Sequence, residues 1–168
     1  TLFGMRPAPA DCCQVLELGC GAGGNLIPMA LALPQSRFLG IDLSGRQVAD
    51  GQKVVGTLSL TNVELKQQSI MEVDAGWGRF DYIVCHGVYS WVPEVAREAI
   101  LRICGESLAD NGVAYVSYSA LPGGYLRNVP RDLMRFHTRA ITDPQLRPRA
   151  AREAVDFMLS AVPGNAFT

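Results

Sequence analysis

Between Glu17 and Asp42 the chain carries a glycine cluster, Gly19-Cys20-Gly21-Ala22-Gly23-Gly24, whose residue types and spacing suit a ligand-cradling turn. A strand that bends sharply into a helix on glycines brings backbone N–H groups against a ligand, because a Cβ there would block the approach. The short apolar run Val15-Leu16-Glu17-Leu18 supplies such a strand, and Asn25 to Leu33 reads as the helix that follows. Asp42 ends the next strand, 23 residues after Gly19, where a carboxylate can accept two hydrogen bonds from ribose hydroxyls.

The cluster can be read in two frames. Glycines 19, 21 and 24 satisfy the G-x-G-x-x-G dinucleotide fingerprint, and glycines 19, 21 and 23 satisfy G-x-G-x-G with an acid at Glu17. NAD and S-adenosylmethionine both contain an adenosine, so Asp42 does not separate them. Glu17 helps, since a carboxylate before the turn is awkward beside a pyrophosphate and suits a ligand that brings a sulfonium and an ammonium. A strand-end Glu that only ties down the loop amides is the plainer role, and the two are compatible.

These residues need a frame of strands and helices to hold them. Pro34 stops the first helix, and Arg37 to Asp42 forms a second strand. Ser44 is an N-cap for a helix through about Leu58, with Val48, Val54 and Val55 as its apolar stripe. Asn62 to Lys66 and Phe80 to Cys85 are strands three and four, the latter introduced by the turn Gly76-Trp77-Gly78. Pro93 suits the first turn of a helix that reaches about Leu108 and buries Val95, Ala96, Ala99, Ile100 and Ile103. Asn111-Gly112 should end it before strand five, Val113 to Ser119. Five alternations of strand and helix predict an α/β, Rossmann-like doubly wound and mainly parallel sheet, with its ligand crevice at the carboxyl ends of the strands. Helical material follows, over about Val129 to Ile141 and Pro144 to Val162, so residues 1–122 form the binding core and residues 123–168 a helical extension.

Composition narrows the classes. The 168 residues are 48% hydrophobic and 18% charged with a net charge of −1, which excludes a disordered chain and gives no bulk field to attract nucleic acid or membrane. Arg127, Arg131, Arg135 and Arg139 recur every fourth position and Arg147, Arg149 and Arg152 follow, but Asp132, Asp143, Glu153 and Asp156 are interleaved, as on a solvated face. Cys12, Cys13, Cys20, Cys85 and Cys104 have neither zinc-site spacing nor a disulfide pattern and read as reduced thiols of a cytoplasmic protein. No apolar stretch is long enough for a bilayer, and the first residues do not resemble a signal peptide.

The segment Val15 to Asn25 resembles the first motif of class I S-adenosylmethionine-dependent methyltransferases, and Phe38-Leu39-Gly40-Ile41-Asp42-Leu43-Ser44 resembles their second. His86-Gly87-Val88-Tyr89-Ser90-Trp91-Val92-Pro93, Tyr115 to Gly124 and Arg131-Asp132-Leu133-Met134 resemble the bacterial subfamily that bears a methyltransferase regulatory domain. The resemblance implies S-adenosylmethionine as cofactor and S-adenosylhomocysteine as product. It also implies that Gly19, Gly21 and Gly23 line the methionine part and that Asp42 holds the ribose. Ser69 and Ile70 would border the adenine, although many class I enzymes have an acid where this chain has Ser69. Glu17, Cys20, Asn25, Leu43 and His86 complete the expected cofactor set.

Methyl transfer from a sulfonium is an in-line displacement that needs positioning and exclusion of water more than a general base. His86, Tyr89 and Trp91 follow strand four and are candidates for shaping the acceptor site, His86 by taking a proton or orienting an amine, the aromatics by favouring a cation such as lysine. Family analogy alone suggests a protein acceptor. Cys20 and Cys85 read as buried thiols, not nucleophiles or metal ligands, and His137 as part of a helix surface. Class I relatives finish the sheet with an antiparallel strand pair for which this sequence offers no segment. A fragment is therefore expected, with an unpaired edge at strand five and cofactor affinity but weak or absent turnover. The competing expectations are a nicotinamide-dependent oxidoreductase, for which no Tyr-x-x-x-Lys pair is evident, and a non-catalytic cofactor-binding piece.

Overall fold

A computed structural model describes residues 4–120, 122–143 and 146–161. Two compact units divide the chain, Thr1–Tyr118 and Ser119–Thr168. The first holds five strands, β1 (Gln14–Leu18), β2 (Arg37–Asp42), β3 (Val63–Gln67), β4 (Phe80–Cys85) and β5 (Leu108–Val116), with helices α1 (Leu26–Ala32), α2 (Gly45–Thr57) and α3 (Glu94–Ser107) between them. The sheet order is β3-β2-β1-β4-β5, and every neighbouring pair is parallel. The chain thus runs outward from β1 to β3 and returns to lay β4 on the other side of β1, opening the crevice of a doubly wound sheet at the carboxyl ends of β1 and β4.

Burial on both faces makes the strands apolar runs instead of alternating ones. Val15, Phe38, Val63 and Leu65 pack with Leu26, Ile27, Ala30 and Val48 on one face. Leu16, Leu18, Ile41, Phe80 and Ile83 pack with Ile100 and Ile103 of α3 on the other. Asn62, just before β3, gives its side-chain amide to the carbonyls of Ala30, Leu33 and Ser36 at 3.0, 3.2 and 3.0 Å, satisfying the C-terminal end of α1. Ser44 accepts from the Gln47 N–H at the start of α2, and Pro93 stands at the N-cap of α3.

Several boundaries and burials differ from expectation. Asn111-Gly112 does not end α3. β5 begins at Leu108 directly after the helix, and the pair sits in an irregularity where the register passes from Phe80↔Leu108 to Tyr82↔Val113. Extra residues accommodated as a bulge do not break a strand, which a turn-type dipeptide cannot reveal by itself. Val54 and Val95 are exposed, because each lies off the stripe that faces the sheet.

The second unit contains α4 (Tyr125–His137) and α5 (Arg147–Ala161), packed against each other. α4 starts four residues before the expected Val129 and carries Pro130 inside it. Residues 144, 145 and 162, expected in the last helix, lie outside the described residues. Arg149 pairs with Glu153 at 3.2 Å, and the Arg139 guanidinium lies 3.8 Å from the centroid of the Phe136 ring. His137 is exposed. Among the described residues no helix is long and apolar enough to cross a membrane, and no cluster of His, Cys, Asp or Glu could hold a metal ion.

Candidate active site

The turn after β1 is built on left-handed glycines, with φ of 78° at Gly19, 57° at Gly21 and 76° at Gly23. Only glycine takes these angles without strain. A Cβ at Gly19 would come within 2.4 Å of Val88, and one at Gly23 within 2.9 Å of Leu65 and 3.0 Å of Ile27. Gly24 has no atom within 4 Å of the corresponding position. The third required glycine is therefore Gly23, and the G-x-G-x-G frame is the physical one.

Four of the N–H groups of this turn are engaged within the protein. Those of Gly19 and Cys20 donate to the Ile41 carbonyl at 2.8 and 2.9 Å, and that of Gly23 donates to the Cys20 carbonyl at 2.9 Å. The Gly21 N–H donates to Asp42 Oδ2 at 2.9 Å. For these four N–H groups this corrects the expectation that they meet the ligand bare, and the glycines let the turn fold onto β2, Val88 and the core.

Asp42 ends β2 with its carboxylate fixed from two sides, since Oδ1 accepts from the Ser44 N–H at 2.8 Å. It lines a cavity of about 380 Å³ together with Gly19, Leu43, Ser69, Ile70 and residues of the β4–α3 connection. That volume is in the range of small-molecule sites. Its wall is chiefly apolar, formed by Ile70, Met71, Val88, Val92, Val95 and Ala96, and Leu43 stands 75% exposed at its edge. Ser69 accepts from the Met71 N–H at 3.2 Å and so shapes the short turn Ile70–Glu72 that forms one side.

Glu17, Asn25 and His86 form a second polar group beside the glycine turn. Glu17 is only 4% exposed. Its Oε1 accepts from the Asn25 amide at 3.1 Å, and its Oε2 is buried without a partner. Burial pushes the Glu17 carboxyl above its ordinary value, while Asn25 and His86 pull it the other way. His86 is exposed and stacks on Tyr115, with ring centroids 5.7 Å apart. Tyr89 is half-buried and meets Tyr118 edge to face at 6.3 Å. Trp91, expected to share an aromatic wall with Tyr89, is 55% exposed, and Tyr118 is the ring that Tyr89 meets.

Cys20 and Cys85 are buried free thiols. Burial, then the charges of Glu17 and Asp42, push Cys20 up to about 12, and burial pushes Cys85 to about 11, so neither is a thiolate near neutrality. Sequence reasoning did not single out Gly40 and Gly51. A Cβ on Gly40 would reach Leu26 at 2.7 Å and Cys20 at 2.8 Å, and one on Gly51 would reach the Ala22 carbonyl oxygen at 2.5 Å. Gly40 lies within the second motif and Gly51 in none; each is needed because the turn presses against β2 and α2.

A methyltransferase-domain family model matches residues 16–114. The chain is 42% identical over 158 residues to the uncharacterized protein RP789 of Rickettsia prowazekii, an alignment covering 94% of this chain and 29% of that protein. It is 43% identical over 139 residues to RP028 of the same organism, covering 83% and 56%. The structure of PKMT2 from Rickettsia typhi in complex with AdoHcy matches with a TM-score of 0.81 and 41% identity, over 99% of this chain and 32% of that one. The chain belongs to the methyltransferase domain family, and its five-stranded sheet is the Rossmann-like methyltransferase fold. It spans less than two thirds of the length of each of these relatives.

Proposed function

We propose that the chain binds S-adenosylmethionine and transfers its methyl group to a protein side chain, lysine in particular, leaving S-adenosylhomocysteine. The buried, unpartnered Oε2 of Glu17 carries this reading. A pyrophosphate seeks open N–H groups and is repelled by a carboxylate, whereas an ammonium and a sulfonium are attracted to the carboxylate. With the N–H groups of residues 19, 20, 21 and 23 already bonded, the turn suits the cationic ligand and disfavours the nicotinamide dinucleotide.

In this reading Glu17, seconded by Asn25, faces the methionine end. Asp42 has acceptor capacity left after Gly21 and Ser44, because a carboxylate offers about four lone-pair positions, and takes the ribose hydroxyls. Leu43 and Ile70 enclose the adenine, with Ser69 at its edge. Gly19, Gly21, Gly23 and Cys20 shape the turn beneath the cofactor, and His86 and Tyr89 face the acceptor. A lysine amine that has lost one proton to water attacks the methyl carbon as the C–S bond breaks. When bound, S-adenosylmethionine would supply the methyl group and leave as the thioether, and the chain's part is to hold the amine in line with it and exclude water. The 41% identity to PKMT2, solved in complex with AdoHcy, supports the cofactor, and that name accords with a protein lysine acceptor. The His86 to Pro93 segment supports a place in the subfamily with a regulatory domain.

The test is incubation of the chain with S-adenosylmethionine labelled in its methyl group and a panel of lysine-bearing peptides, followed by mass spectrometric location of the label. Label on lysine nitrogen is expected. Cofactor binding with no transfer to any amine would reassign the chain to a binding role.

A further inference from the structure

We infer that Tyr115 and Tyr118, at and just beyond the end of β5, are specificity-determining residues of the acceptor site that receive an alkylammonium side chain on their rings. This rests on the methyltransferase reading above and deepens it. Two aromatic pairs bring the loops after β4 and β5 together: His86 stacks on Tyr115 with an interplanar angle of 28°, and Tyr89 meets Tyr118 at 60°. The backbone beneath them is tied in both directions. The Gly87 N–H donates to Ser117 Oγ at 2.8 Å, and the Ser117 N–H donates to the Cys85 carbonyl at 3.0 Å.

Tyr115 and Tyr118 nevertheless leave 53% and 69% of their surface in solvent, although their neighbours fix them. A ring held at an edge or stacked on one side and open on the other has already lost its motion and still offers a π face. Such faces attract a cation and repel a carboxylate. An acceptor that arrives as an ammonium is thus held by the rings, and gives its proton to water as it moves toward the methyl group.

The experiment follows the tyrosine ring resonances of the full chain, saturated with S-adenosylhomocysteine, during titration with N-acetyl-lysine methylamide or its uncharged match N-acetyl-norleucine methylamide. The lysine probe should shift the Tyr115 and Tyr118 resonances and the norleucine probe should not. Tyr118→Leu and Tyr115→Leu should each weaken the lysine response by about three- to tenfold. Tyr118→Phe should keep it, and all three variants should bind S-adenosylhomocysteine as the parent does. Equal responses to both probes, no response, or an undiminished response in both leucine variants would overturn the assignment. Failure of the parent chain to bind S-adenosylhomocysteine would instead sink the methyltransferase reading, so the two failures are distinct.

Discussion

The Asn25 side chain donates to Glu17 Oε1 across the glycine turn, and the other oxygen of the same carboxylate lies buried with nothing to bond. An unpaired buried acceptor is costly in the empty protein and is relieved by an incoming cation. Burial raises the Glu17 carboxyl, so the folded state holds this proton more readily than the unfolded chain. Its contribution to stability is complete below the ordinary carboxylate range and is lost as pH rises through the raised folded value. Cofactor binding has the opposite sense, because the ammonium wants the ionised form. Thermal melts and affinities for S-adenosylhomocysteine measured across that range should therefore slope in opposite directions. In Glu17→Gln both slopes should flatten, and affinity near neutrality should fall by about 1.5–3 kcal/mol. An unaltered affinity would remove Glu17 from the site.

Asp42 behaves differently because it holds the protein as well as the sugar. Asp42→Ala should weaken binding by about 1–3 kcal/mol and also lower the stability of the unliganded chain, since the N–H groups of Gly21 and Ser44 lose their acceptor. Chemical denaturation without ligand, set beside calorimetry with it, separates the two effects. Full affinity in this variant would place the ribose elsewhere.

The glycines make a third test. Gly24→Ala should leave binding and stability within about 0.5 kcal/mol of the parent, since a Cβ there meets nothing. Gly23→Ala and Gly51→Ala should each destabilise by about 1–3 kcal/mol, through a left-handed φ in one and contact with the Ala22 backbone in the other. Denaturant midpoints check all three, and a severe defect in Gly24→Ala would restore the dinucleotide frame.

The thiols supply a fourth. Cys12 is exposed, whereas Cys20 and Cys85 are buried and held far above neutrality. Iodoacetamide at neutral pH should label Cys12 first in the native protein and reach Cys20 and Cys85 only on unfolding, as peptide mapping over time would record. Early labelling of Cys20 would mean that the turn is open.

Much of this was legible in the sequence where one local signal had no competitor. β2 and β4 run over Arg37–Asp42 and Phe80–Cys85 as expected, because each is an apolar run with a clear turn before it. Ser44 caps α2 for the same local reason. The misreadings have tertiary causes: Asn111-Gly112 looks like a helix end until its bulge is seen against β4, and Val95 looks like core until α3 is docked. The site divides along the same line. Glu17, Asp42 and the left-handed glycines were visible as types at a spacing. The occupation of the turn's amides by Ile41 and Asp42, and the rings Tyr115 and Tyr118 beside His86 and Tyr89, depend on contacts between distant segments.

Titration calorimetry of the parent chain and Glu17→Gln, each with S-adenosylhomocysteine and with NAD, addresses the selection of a cation-bearing adenosine most directly. The parent should bind S-adenosylhomocysteine and give no heat with NAD, and Glu17→Gln should lose roughly tenfold or more of that affinity. Tight binding of NAD by the parent, or equal binding of S-adenosylhomocysteine by both proteins, would contradict it.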